Sequence, residues 1–247
     1  MNYRDKFYEK YISTHTGQLY GDLGLGAIRR QFPIWQKYFG KFLPKEKSAK
    51  IGDFGCGNGG FVWWLQQKGF DQTEGIDVSS EQVAAAEKMG IKNIQRSDIY
   101  EFLKKKTDFY DVVFMKDVLE HQTKEEVLNI LELISRSLKK GGVLVIQTAN
   151  AESPFWGRIR HGDFTHETSF TKNSVSQLLS IFGFKNIEVF PMGPVVHGIR
   201  SFVRFVLWQL IVFIVRFYLL IETGSPSGIF TQNIIVSSVN GSSRHGL

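Results

Sequence analysis

The chain is most constrained between residues 51 and 60, where Ile51-Gly52-Asp53-Phe54-Gly55-Cys56-Gly57-Asn58-Gly59-Gly60 runs into the apolar Phe61-Val62-Trp63-Trp64-Leu65. Glycine loses more conformational freedom on folding than any other residue, so a cluster of it reports positive φ or close backbone approach. An acid closing a short strand, then glycines, then a helix make a turn that a ligand can touch without intervening side chains. The N–H groups that open the helix point at that ligand. The turn fits both G-x-G-x-x-G and G-x-G-x-G, so by itself it does not choose the cofactor.

Around this turn, residues 49–148 alternate strand and helix, the pattern of a mainly parallel sheet with helices on both faces. Strands are expected at 50–54, 73–77, 93–96, 110–115 and 143–148, with helices at 58–68, 80–88 and 124–139. Ser79-Ser80-Glu81 starts the second helix, and Lys139-Lys140-Gly141-Gly142 stops the third. Residues 1–48 read as a helical cap of two pieces, 3–14 with aromatics at 3, 7, 8 and 11, and 27–42 interrupted by Pro33. This region either covers the site or adds a layer to the sheet. Past Asn150 come a polar, histidine-containing loop (153–170), a helix (172–182), a strand (186–190), an apolar stretch (199–221) and a strand (228–237). The domain is expected to span 49–240, with a flexible tail at 241–247.

The 247 residues, 43% of them hydrophobic, can fill one large α/β core. A net charge of +6 without a basic block does not indicate nucleic acid. The single cysteine, Cys56, excludes an internal disulfide and a cysteine-based zinc site, and no metal is expected. A reducing cytoplasm fits, and the N-terminal residues lack the apolar run of a secretory signal.

Three acids narrow the ligand. Asp53 stands two residues before the first glycine, where it can face a cationic group. Asp77 ends the second strand, about 20 residues beyond, where an acid pairs with ribose hydroxyls. Asp98 ends the third strand. Together with Gly75-Ile76-Asp77-Val78-Ser79, Tyr110-Asp111-Val112-Val113, Asp117-Val118-Leu119-Glu120-His121 and Leu138-Lys139-Lys140-Gly141-Gly142, this series resembles the class I S-adenosylmethionine-dependent methyltransferases. The resemblance implies a Rossmann-like seven-stranded sheet ordered 3-2-1-4-5-7-6 with only the last strand antiparallel. It implies that S-adenosylmethionine lies on Gly55, Gly57, Asn58 and Gly59. Its methionine part would meet Asp53 and the Met115-Lys116 backbone. Its ribose would meet Asp77, and its adenine Val78 and Ile99 with Asp98 near the amino group. Gly52 departs from the family, which has a branched apolar residue there.

A sulfonium methyl is already activated, so the protein must mainly orient an acceptor, and a hydroxyl acceptor also needs a base. Histidine suits that task near neutral pH. His166 ranks first and His121 second, with Glu167 or Asp163 as the acid orienting His166. Arg158 and Arg160, with His161 and Asp163, are candidate substrate-binding residues. The segments Asp163-Phe164-Thr165-His166-Glu167-x-x-Phe170-Thr171 and Glu222-Thr223-Gly224-Ser225, with the strand that follows, resemble methyltransferases of bacterial surface-polysaccharide and lipid-linked glycan pathways. That resemblance implies O-methylation of a sugar. The alternatives are an O-methyltransferase of isoprenoid quinone biosynthesis and a non-catalytic cofactor-binding partner subunit.

The 23 residues from 199 to 221 would form a helix of about 34 Å, enough for a bilayer core. A single crossing would strand the last β-strand on the wrong side. The expectation is a helix lying on a membrane surface, at the inner face of the cytoplasmic membrane, with Arg200 and Arg204 toward lipid phosphates, or one buried in a homo-oligomer contact or the chain's own core.

Overall fold

The computed structural model describes residues 3–21 and 24–241, so the expected tail at 241–247 lies, apart from Gly241, outside the described residues. Seven strands, β1 (Ile51–Phe54), β2 (Thr73–Asp77), β3 (Ile94–Arg96), β4 (Tyr110–Lys116), β5 (Leu138–Ala149), β6 (Phe184–Pro191) and β7 (Asn233–Asn240), form one sheet in the order 3-2-1-4-5-7-6. β1 pairs in parallel with β2 and β4, while β7 runs antiparallel between β5 and β6. The helices are α1 (Tyr3–Tyr8), α2 (Gly17–Tyr20), α3 (Leu25–Phe39), α4 (Gly60–Gln67), α5 (Ser80–Lys88), α6 (Ile99–Leu103), α7 (Lys124–Ser137), α8 (Trp156–Arg160), α9 (Lys172–Ile181) and α10 (Ile199–Thr223).

Every residue of β1 is buried, as expected of an inner strand covered on both faces. One face is filled by Phe54, Met115, Ile130, Leu131 and Ile146, the other by Ile28, Trp35, Phe39, Phe61 and Trp64. Gly52 has a packing reason. A Cβ there would stand 2.7 Å from Cζ of Phe54, whose ring folds back over the strand and takes the volume a branched residue would fill.

The N-terminal region has two parts. Helix α3 is a layer on the sheet, burying Ile28, Trp35, Tyr38 and Phe39, whereas residues 3–20 cross the carboxyl edge and include a π-helical turn at Ile12–Thr16. Pro33 does not interrupt α3. Its missing N–H costs one helical hydrogen bond, and burial of the residues beyond it holds the helix together.

Element ends differ from expectation where glycine conformation or side-chain bonds set the boundary. Helix α4 starts at Gly60 because Gly59 is left-handed, at φ 73°. Helix α7, opened by a capping box between Thr123 and Glu126, ends at Ser137. The chain then extends directly into β5 through Gly141 at φ 78°. β7 begins at Asn233 rather than 228. The preceding residues are held by side chains instead: Asn150 Nδ2 donates to the carbonyls of Ile229 (2.5 Å) and Thr231 (2.8 Å), and the Glu152 carboxylate accepts from Ile229 N. The loop at 153–170 contains the short helix α8.

Candidate active site

At the carboxyl edge of β1 the turn is built from backbone. Gly55, Gly57 and Gly59 all have positive φ, and a Cβ on Gly55 would stand 2.4 Å from Cγ2 of Val118. That combination admits only glycine. Asp77 fastens the turn, its two carboxylate oxygens accepting from Gly57 N and Ser79 N at 2.8 Å each. Burial pushes this carboxyl up, and the backbone donors partly offset that. Asn58 caps the turn by accepting from Gly60 N. Cys56 is buried and its thiol is pushed well up, so it packs rather than reacts.

Asp53 is the informative member. It is fully buried at the end of β1, and neither carboxylate oxygen has a hydrogen-bond partner among the described residues. Burial raises its pKa and the charge of Lys116 opposes this. A carboxylate without a donor in such a place is costly unless a ligand supplies one. An ammonium group is the natural complement, so the cradle fits a cofactor with a charged amine and a nucleoside. Asp98 caps α6, one oxygen accepting from Tyr100 N and Glu101 N, and Ile99 is buried behind it. Val78 follows Asp77 and accepts from Arg96 Nε, and Met115 is buried. Lys116 lies over the Phe61 ring, 4.4 Å from its centroid. An open depression of about 450 Å³ lined by Lys50, Asp71, Thr73 and Asn93 lies at the opposite edge, away from these groups.

Across the same edge, the histidines assemble from separate segments. His121 closes the 3₁₀ turn after β4, and its Nδ1 lies 2.8 Å from Thr165 Oγ1. The Thr165 hydroxyl donates to Asp163 Oδ1 at 2.7 Å, which leaves it only acceptor capacity toward the ring. His121 therefore carries its proton on Nδ1. Burial, with His166 nearby, pushes its pKa down to about 4, so the ring is neutral. Burial alone would raise the Asp163 carboxyl, but the Tyr11 hydroxyl at 2.6 Å and both donors of Thr165 hold it down to about 2.

His166 packs against His121 with ring centroids 4.7 Å apart. Its Nδ1 lies 2.8 Å from the Ile159 carbonyl, an obligate acceptor, so Nδ1 carries a proton toward that carbonyl and Nε2 is on the other side of the ring. The orienting group is thus a carbonyl and not the expected acid: Glu167 bonds to Tyr3, and Asp163 serves His121 through Thr165. Arg160 donates to the carbonyls of His166 and Glu167 and pins the loop from within. Arg158 is exposed, as is His161, whose ring lies beside Trp156. Glu167 N and Thr168 N both donate to the Glu120 carbonyl, at 2.7 and 3.0 Å, which ties the histidine loop to the end of β4.

His121, Asp163 and His166 bring ligand-capable atoms within 4.8 Å of one another. Both Asp163 oxygens and the two Nδ1 atoms are already hydrogen-bonded, which fixes the orientation of the two rings. Two further acids sit below it. Asp117, at φ 55°, accepts from Gln147 Nε2, and burial raises its carboxyl. Burial and the neighbouring Asp117 charge push Glu120 up to about 8.

Sequence reasoning did not single out Thr165, Tyr11, His15 or Arg4. Tyr11 and His15 both reach Asp163, His15 at 3.4 Å, and Arg4 donates to the His121 carbonyl and pairs with Glu126. The aromatics at 3, 7, 8 and 11 were the available signal. Their spacing equally describes a packing stripe.

A family described as a methyltransferase domain matches residues 28–189. An uncharacterized protein of Methanocaldococcus jannaschii is 30% identical over 154 residues, covering 60% of this chain and 69% of that protein. A tRNA U34 carboxymethyltransferase of Desulfotalea psychrophila is 29% identical over 128 residues, 49% of this chain and 39% of that protein. Among solved structures, a SAM-dependent methyltransferase from Archaeoglobus fulgidus superposes with a TM-score of 0.61 at 19% identity, covering 96% of this chain and 100% of that one. The chain belongs to the methyltransferase domain family, and its fold is that of the S-adenosylmethionine-dependent methyltransferases.

Proposed function

We propose that the protein transfers a methyl group from S-adenosylmethionine to a hydroxyl of a sugar in a surface polysaccharide or lipid-linked glycan. The observation that carries this reading is His166, held at Nδ1 by the Ile159 carbonyl, on the same sheet edge as the buried Asp53, whose carboxylate has no partner among the described residues. The cofactor supplies a methyl group activated by its sulfonium. Asp53 holds the amine end, Asp77 keeps the glycine turn in shape, and the acceptor lies against the histidines. His166 Nε2 takes the hydroxyl proton as the new carbon–oxygen bond forms, while His121, kept neutral by its surroundings, adds no opposing charge. The mouth supports a sugar. Phe164 is 73% exposed and stacks on Phe7 at 5.3 Å with Tyr3 edge-on, a platform for the C–H face of a pyranose.

The test is incubation with labelled S-adenosylmethionine and, in parallel, a set of unmethylated glycan intermediates, a demethylated isoprenoid quinone precursor and a tRNA transcript, followed by mass analysis. Label on a sugar oxygen is the expected product. Label only on the quinone precursor or the tRNA would overturn the sugar assignment, and tight cofactor binding without turnover on any of them would leave a non-catalytic subunit.

A further inference from the structure

Helix α10 has two opposite faces that differ in a way no soluble core explains. It is 25 residues long, its most apolar 18-residue window has a mean hydropathy of 2.0, and none of that window is buried. The residues turned toward the body form one narrow stripe, Ser201, Phe205, Trp208, Val212, Val215 and Leu219, spaced alternately by four and three. Trp208 marks the contact, its indole nitrogen 3.5 Å from where a Cβ on Gly193 would stand.

At about 100° per residue, the opposite side carries Phe202, Val206, Leu210, Phe213, Phe217 and Ile221, all exposed and interrupted by no polar residue. The polar residues occupy the shoulders between the two faces. Arg200, Arg204 and Glu222 lie on one shoulder, Gln209 and Arg216 on the other. An exposed helix of a soluble domain is polar outward and apolar inward. This one is apolar outward, with cations at the level where it meets the body.

Both ends return to the same edge of the sheet. β6 runs parallel to β5 and delivers the chain to the carboxyl edge, and β7, antiparallel, starts there. The returning segment is tied to the chain that enters the histidine loop, through Ile229 to Glu152 and Asn150. Such a helix cannot cross a bilayer and leave β7 in its sheet.

We infer that α10 is a membrane-docking element that lies in the plane of an anionic lipid surface. The outward face enters the acyl boundary, and Arg200, Arg204 and Arg216 sit at the depth of the lipid phosphates. Three arginines against one glutamate on the helix complement an anionic surface, which is what separates a bilayer from a second copy of this chain carrying the same cations. Because the chain leaving the helix is fastened to the entry of the histidine loop, docking holds the acceptor side of the site near the lipid. The inference does not depend on the acceptor being a sugar.

The test is flotation of the full chain with vesicles of phosphatidylcholine alone and with a quarter of phosphatidylglycerol. The protein is expected to float with the anionic vesicles and at least tenfold less with the neutral ones. Replacing the three arginines by glutamine (R200Q/R204Q/R216Q) should remove that preference. Phe213→Asp should abolish flotation while cofactor affinity and thermal midpoint stay at wild-type values, which separates loss of docking from loss of fold. A wild-type protein that stays in solution with both vesicles, or a detergent-free dimer that Phe213→Asp converts to monomer without changing flotation, would overturn the inference.

Discussion

The two halves of the carboxyl edge are built by different means. The cofactor half comes from one short stretch and the strand beside it: three left-handed glycines and the carboxylates of Asp53 and Asp77. The half we assign to the acceptor is assembled from Tyr11, His121, Asp163, Thr165 and His166, brought together over separations of 152 and 44 residues. A ligand common to many enzymes can be held by backbone, which tolerates few changes. An acceptor peculiar to one enzyme is met by side chains on loops, which vary freely.

This contrast predicts that changes on the two halves separate binding from turnover. His166→Ala should lower kcat by about 10²–10⁴-fold, the usual worth of a general base, with the cofactor dissociation constant near wild type. Equal loss in both quantities, by single-turnover kinetics and calorimetry, would make the residue structural.

His121 gives a pH signature. Its folded pKa lies below the ordinary 6.5, at about 4, so the unfolded chain binds the extra proton between those values and wild-type stability falls as pH drops through that window. At about 1.4 kcal/mol per pH unit the loss reaches about 3 kcal/mol. Glu120, raised to about 8, contributes the opposite slope above 4.5. The measurement is therefore the difference from His121→Asn in denaturant titrations, and a difference that does not vary with pH would remove the neutral-histidine account.

On the cofactor half, Asp53→Asn should weaken cofactor binding by about 10- to 100-fold, the worth of one charged hydrogen bond. It should also raise the melting temperature of the cofactor-free protein, because it removes an unpaired buried charge. The wild-type carboxyl titrates above its ordinary range, so its protonated form is favoured in the fold. Wild type should accordingly recover against the variant as pH falls. A variant less stable than wild type at neutral pH would show that Asp53 already has a partner. The smallest effect is expected of Thr165→Val, which leaves the His121 N–H without an acceptor and should cost about 1–2 kcal/mol in chemical denaturation.

Much of the cofactor half was legible because its logic is local. Gly55 and Gly57 are adjacent to the helix they open, and Asp77 lies at the end of the next strand, so spacing carries the geometry. The strand order, including the antiparallel β7, followed from the methyltransferase resemblance, and the structure has it. The partners of the histidines were not legible. Nothing in the spacing of Asp163 and His166 tells that Thr165, between them, turns the acid toward His121, or that a carbonyl orients His166. Tyr11 was hidden for a related reason, since an aromatic stripe reads the same whether it faces a core or a cleft. Pro33 inside α3 shows propensity overridden by packing.

The segment before α3 has a kinetic consequence. It is latched at Arg4 to Glu126, at Tyr11 to Asp163, and at Ile12 and Ser13 to Glu81, so it bridges the starts of α7 and α5 above the glycine turn. Tyr11 holds the same carboxylate that steadies His121 through Thr165, so any motion that lifts the strap breaks a bond of the histidine network, and the rate of that opening is tied to the order of the site.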